Sequence, residues 1–156
     1  MDTIAFDLSE SRIGDHLTTN IYINNTDLRS IISAIEFRQL AGTKTAFING
    51  AYEGISPFIA FHLHDHFYKK TINEYRYFDN RFAVYDYMYS GIPGDYTLAC
   101  RIEINKHYVR WYDFKNFSEL CPQNFDYGDL HFTFDALDYQ QAISNLKKTK
   151  IQEIYA

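Results

Sequence analysis

The sequence is poor in the features that most often declare a function. It holds two cysteines in 156 residues, Cys100 and Cys121. They have neither metal-knuckle spacing nor the density of a disulfide framework, so both are expected to be reduced and structural. No apolar run reaches the roughly 18 residues of a membrane span. Basic residues are not in excess: 15 Lys and Arg stand against 20 Asp and Glu, a net charge of −5. That is the wrong sign for direct nucleic-acid binding through a basic face. The first residues, Met-Asp-Thr-Ile-Ala-Phe-Asp, lack the basic start and apolar core of a secretion signal, so the expected location is the cytoplasm. No serine sits in a G-x-S-x-G elbow and no glycine-rich phosphate loop is present. A role without catalysis or cofactor is therefore the expectation.

What is abundant is aromatic: 14 Tyr and 13 Phe, with a single Trp. The chain is organised around a hairpin over residues 96–114. Tyr96, Leu98, Cys100, Ile102 and Ile104 alternate with Thr97, Ala99, Arg101 and Glu103, the period of a half-buried strand. A turn at Asn105-Lys106 sets Ile102 opposite Val109, Cys100 opposite Trp111, and Arg101 opposite Arg110. Like charges directly opposed are unfavourable, so these arginines call for an acidic neighbour, internal or from a partner.

Elsewhere, strands are expected at 4–8, 19–23, 45–48, 58–68, 82–89 and 130–134, with a loop or loose hairpin arm over 71–80. A helix at about 25–39 follows from Leu28, Ile31, Ile32 and Ile35 on one stripe, with Asn24 as its cap and Asp27 in its first turn. A second helix at about 136–149 follows from Asp135 as cap, then Tyr139, Ala142, Ile143 and Leu146 at the same spacing. Gly91-Ile-Pro-Gly94 marks a turn. The sum is one domain over 1–156 of α+β class, an antiparallel meander packed by an N-terminal and a C-terminal helix.

Ala51-Tyr52-Glu53-Gly54-Ile55, Arg101-Ile102-Glu103-Ile104, Val109-Arg110-Trp111-Tyr112-Asp113-Phe114, and Phe134-Asp135 followed by Tyr139 and Ala142 occur in that order. Together they resemble a group of small uncharacterised bacterial proteins with a Y-x-G-[LI] segment, a V-x-W-x-x-F strand and an F-x-F-D-x-x-x-Y-x-x-A end. The resemblance covers about residues 20–148. Many members of that group carry a cysteine knuckle before the tryptophan strand. Here Gly91 and Gly94 are kept, but Met88, Ser90 and Asp95 stand where cysteines would, so no metal-holding role is implied.

Two constellations suggest chemistry. His62, His64 and His66 would share one face of a strand and could hold zinc or copper, the route to a metal-dependent alternative. More extensive is the mixture of tyrosine and carboxylate around Tyr85, Asp86, Tyr87, Tyr89 and Asp95, and again at Asp126, Tyr127 and Asp129. Tyrosines filling pockets, with carboxylates steering association, are what a protein uses to occupy a basic active site. The expected function is a small inhibitor, a bacterial immunity protein that binds a cognate nuclease-type toxin domain by occlusion. A non-catalytic ligand-binding domain is a further alternative.

Overall fold

The structure, a computed structural model, describes residues 1–11, 16–40, 52–77, 79–87, 96–118 and 125–148. In chain order its elements are β1 (Ile4–Glu10), β2 (Leu17–Ile23), β3 (Thr26–Asp27), α1 (Leu28–Leu40), β4 (Tyr52–Gly54), β5 (Arg76–Tyr77), β6 (Arg81–Tyr87), β7 (Tyr96–Ile104), β8 (Tyr108–Ser118), β9 (His131–Asp135) and α2 (Ala136–Lys147). Among the described residues the strands form two antiparallel sheets. One runs β1-β2-β3; the other runs β4-β6-β7-β8-β9, with β5 also paired to β6. The α+β class, the meander and the two flanking helices are as the sequence patterns predict.

The hairpin of β7 and β8 keeps its expected faces but not its register. Ile104 pairs with Val109, Ile102 with Trp111, Glu103 with Arg110, and Arg101 with Tyr112. Asn105 does not occupy the turn with positive φ. Its side-chain oxygen instead accepts from the N–H groups of His107 (2.8 Å) and Tyr108 (2.9 Å), which moves the turn one residue onward. A two-residue change in pairing leaves every side chain on its own face, so the apolar surface survives. The change also removes the opposition of Arg101 and Arg110. A register irregularity between Ala99 and Arg101 sets Asp113, at φ 56°, and Phe114 against Cys100, the extra residue of a β-bulge.

Asn24 and Asn25 have φ of 52° and 64° and form the turn between β2 and β3, the backbone shape that favours asparagine. The cap of α1 is therefore Asp27, whose Oδ1 accepts from Arg29 N at 2.9 Å. The fully buried line on α1 is Leu28, Ile32, Glu36 and Leu40; Ile31 and Ile35 are only half-buried beside it. Asp135 caps α2 as expected, accepting from Leu137 N and Asp138 N, and Tyr139, Ile143 and Leu146 face the core.

Residues 58–68 are not a strand. Phe58–Leu63 is π-helical and His66–Tyr68 forms a single tight turn. Pro57, at φ −64°, presets helical backbone at the start. Phe61 then packs against Phe6 and Phe67 at ring separations of 5.4 and 5.6 Å. Strand β8 runs on past residue 114, where irregular chain was expected. The segment 71–80 supplies the short arm β5. The expected strand at 45–48 and the turn at 91–94 lie outside the described residues.

The centre of the core is Trp111, fully buried and stacked on Phe67 at 5.4 Å. Its Nε1 donates to the Tyr139 hydroxyl at 3.2 Å, which donates in turn to the Phe67 carbonyl at 2.6 Å. That relay fastens α2 to the larger sheet. The smaller sheet crosses β4 where Thr19 N donates to Ile55 O at 3.1 Å. Gly54 permits the crossing, since a Cβ there would lie 1.7 Å from Thr19 O.

Candidate functional site

Glu36 lies on the buried line of α1 with no accessible surface. Hydroxyls from three other parts of the chain donate to it: Tyr52 of β4 at 2.5 Å, Tyr96 of β7 at 2.9 Å and Tyr127 at 2.5 Å. Asn116 of β8 donates through Nδ2 to the Tyr52 oxygen at 2.5 Å. The Tyr52 and Tyr96 rings also meet, tilted by 34°, at a centroid separation of 4.9 Å. Burial, and after it the charge of Glu36, holds Tyr52 and Tyr127 well above the usual phenol range, so these hydroxyls stay protonated donors. The cluster fixes α1, β4, β7, β8 and the segment around Tyr127 to one buried point through a shared hydrogen-bond network.

Tyr127 belongs to a ridge, residues 125–129, that leaves the cluster toward solvent. Gln39, one turn beyond Glu36 on α1, grips its backbone: Nε2 donates to Asp126 O at 2.7 Å and Oε1 accepts from Asp126 N at 2.8 Å. The Asp126 carboxylate accepts from Gly128 N at 2.7 Å, and Gly128 sits at φ 58°, which suits glycine. Asp126 is exposed and the Asp129 side chain is 94% exposed. An open groove of about 640 Å³ lies between the ridge and the Ile35–Gln39 turn of α1. A narrower pocket of about 320 Å³ lies on the ridge's other side, against β8.

The structure divides the residues singled out from the sequence. Asp126 and Asp129 are at the surface, together on the ridge. Tyr127 is next to them but buried, its hydroxyl turned inward to Glu36. Tyr85 is fully buried against Tyr52 at 5.9 Å. Asp86 is buried opposite Glu53 and accepts from the Thr97 hydroxyl at 2.8 Å. Tyr85 and Asp86 therefore serve the core rather than a contact surface, because β6 is covered on both faces. The Tyr87 side chain, Tyr89 and Asp95 lie outside the described residues, as does Cys121. Cys100 is buried, and burial pushes its thiol up out of reactive range.

The arginine question also resolves internally. Asp113 Oδ2 meets Arg81 Nη2 at 2.8 Å and Arg101 Nε at 3.1 Å, while Asp79 lies 3.2 Å from Arg101 and 3.6 Å from Arg81. Arg110 lies over the Tyr112 ring at 5.0 Å and pairs across the hairpin with Glu103.

The three histidines do not share a face. His66 is fully buried, with Nε2 donating to Ala83 O at 2.7 Å and Nδ1 accepting from the Thr71 hydroxyl at 2.6 Å. Both ring nitrogens are thus used, and burial lowers its pKa to about 4. His62 is exposed and His64 half-buried, beside a shallow pocket bordered by Lys70 and by Lys147, which pairs with Asp65. Among the described residues no three His, Cys, Asp or Glu side chains are grouped to hold a metal ion. No helix among them is long and apolar enough to cross a membrane.

Sequence patterns point to Asp126, Tyr127 and Asp129 but miss Glu36, Gln39 and Asn116. The signal for Glu36 is its place four residues after Ile32 and eight after Leu28, on the apolar line itself. Comparison with known proteins finds no family model, no curated protein and no solved structure that matches the chain. The functional reading accordingly rests on the site.

Proposed function

We propose that this chain is a small protein-binding inhibitor of the bacterial immunity type, which covers the basic active site of a cognate, nuclease-type toxin domain. The observation that carries this reading is the Gln39 grip on the Asp126 backbone. It holds an exposed acidic ridge in one shape, with Tyr127 anchored to the buried Glu36 beneath it. A contact element ordered before encounter loses less conformational freedom on binding. Exposed carboxylates at Asp126 and Asp129, on a chain of net charge −5, steer association toward a basic surface. Inhibition of this kind is occlusion: the carboxylates stand where substrate phosphates would, against the partner's Lys and Arg, and no bond is made or broken.

The test is capture from host lysate at low salt, read by native mass spectrometry, with the unaltered chain and with Asp126→Lys/Asp129→Lys. The expected result is a one-to-one complex with a basic polypeptide that the double variant loses. Co-expression of the unaltered chain should also restore growth to cells making that polypeptide. Retention of the same polypeptide by the double variant would remove the ridge from the contact. Absence of any such complex would end the inhibitor reading.

A further inference from the structure

The shallow pocket beside His62 and His64, about 420 Å³ in volume, differs in charge from the two grooves along the ridge. Its lining sets Lys70, Lys147 and the two histidines against one carboxylate, Asp65. In the groove beside α1, Arg38 faces Asp126, and in the pocket beside β8, Arg81 and Lys115 face Asp113 and Asp126, so both of those balance. The exposed Lys69 and Lys148, next in sequence to the two lysines, extend the positive field. On a chain of net charge −5 this is a local reversal of sign.

The backbone assembles the pocket. The chain leaves the π-helical turn extended at His64, with φ −137°, and turns back at Lys69, with φ 72°. Asp65 O then accepts from Tyr68 N at 2.9 Å and from Lys70 N at 3.0 Å, which sets Lys70 next to Asp65. Lys147, at the end of α2, reaches the same place and pairs with the Asp65 carboxylate. That pair holds the Lys147 ammonium at the wall and uses only one of its three N–H donors. The His62 ring lies along Phe58 at 6.4 Å. Among the described residues nothing accepts from the side chains of Lys70, His62 or His64. The Thr71 hydroxyl is given to His66 at 2.6 Å and adds no donor.

We infer that this pocket binds the phosphate group of a phosphate monoester. A phosphoryl group brings three strong acceptor oxygens and nearly two negative charges at neutral pH, which suits donors arriving from four side chains on two elements. A carboxylate offers two oxygens in one plane and a single charge. Lysine serves phosphate as a point charge. An anion beside an imidazole favours its protonated form, which adds charge where Asp65 cancels that of Lys147. The buried Phe61 and the exposed Leu63 give the organic part of the ester an apolar surface, and the volume is that of a small-molecule site. The pocket shares no residue with the ridge or the Glu36 cluster, so it stands or falls apart from the inhibitor reading.

The test is an NMR titration of the intact chain at neutral pH with phenyl phosphate, phenyl sulfate and inorganic phosphate. Phenyl phosphate should give saturable shifts confined to residues 62–65, 70–71 and 147. Phenyl sulfate, of the same shape with less charge, should bind severalfold more weakly. Lys70→Gln and His64→Gln should each weaken phenyl phosphate severalfold, while Lys106→Gln, at an exposed lysine in the β7–β8 turn, should change nothing. Absent saturation, equal binding of phenyl sulfate, or equal weakening by Lys106→Gln overturns the proposal. Inorganic phosphate binding as tightly as phenyl phosphate overturns the ester and leaves a bare oxyanion site. Sedimentation with phosphatidylcholine vesicles containing phosphatidic acid, lost in Lys70→Gln, would assign the monoester to a lipid headgroup. Phenyl phosphate binding without sedimentation assigns it to a soluble molecule.

Discussion

Tyr127 and Glu36 stand 91 residues apart in the chain and are joined by a 2.5 Å hydrogen bond between the phenol and Oε2. That bond ties a surface ridge to the buried carboxylate of α1. Tyr127→Phe removes one bond to a charged acceptor and should cost about 1.5–3 kcal/mol. Glu36→Leu strands three hydroxyls, each at about 1–3 kcal/mol, so it should cost more than any single tyrosine variant. Urea unfolding ranks them. Equal midpoints for Tyr127→Phe and the unaltered chain would show that the cluster does not hold the ridge.

His66 makes stability depend on pH. Burial lowers its pKa from 6.5 to about 4, against a smaller opposing effect of the Ala83 carbonyl. The folded value lies below the unfolded one, so acid protonates the unfolded chain first. Stability from this group is complete above pH 6.5 and is lost as pH falls from 6.5 toward 4, by up to about 3 kcal/mol. His66→Gln should start less stable and show a flatter slope between about pH 5 and 6.5. An unchanged slope in the variant would assign the pH dependence to other groups.

The two-strand alternation of residues 96–114, the capped stripe of α2 and the meander were all legible, because each rests on neighbours in sequence. The pairing register was not, because Asn105 closes the turn with its side chain rather than with positive φ. Residues 58–68 read as a strand, with His62, His64 and His66 at a two-residue period, but Pro57 and the burial of Phe61 favour a helical turn. Of the site, Asp126 and Asp129 were visible as acids in a polar stretch. Glu36 was hidden by its own chemistry: a carboxylate on an apolar line reads as an interruption until three distant tyrosines converge on it. Asp86 misled in the opposite sense, since a strand covered on both faces buries even its acids.

Gly54 carries a sharper expectation than its place in a three-residue strand suggests. A Cβ there would meet Thr19 O at 1.7 Å and Thr19 C at 2.5 Å, and both are backbone atoms that no side-chain rotation can move. Gly54→Ala must push β2 from β4 and break the Thr19–Ile55 bond. The expected loss is at the upper end of the overpacking range, about 3 kcal/mol, seen as a lower melting temperature. A melting temperature equal to that of the unaltered chain would mean the sheets can slide without cost.

Charge reversal on the ridge separates steering from docking. Asp129 is exposed and only loosely near His131, at 3.7 Å, so Asp129→Lys should slow association with a basic partner at low salt and leave dissociation nearly unchanged. Asp126 borders both grooves, so Asp126→Lys should slow association and also speed dissociation. Raising ionic strength should bring the association rates of both variants toward that of the unaltered chain, as screening shortens the reach of surface charge. It should leave the faster dissociation of Asp126→Lys in place, because that difference arises from contact. Surface plasmon resonance across a salt series reads all four quantities. Dissociation unaffected by either reversal would reduce the ridge to a source of long-range attraction and move the contact elsewhere on the chain.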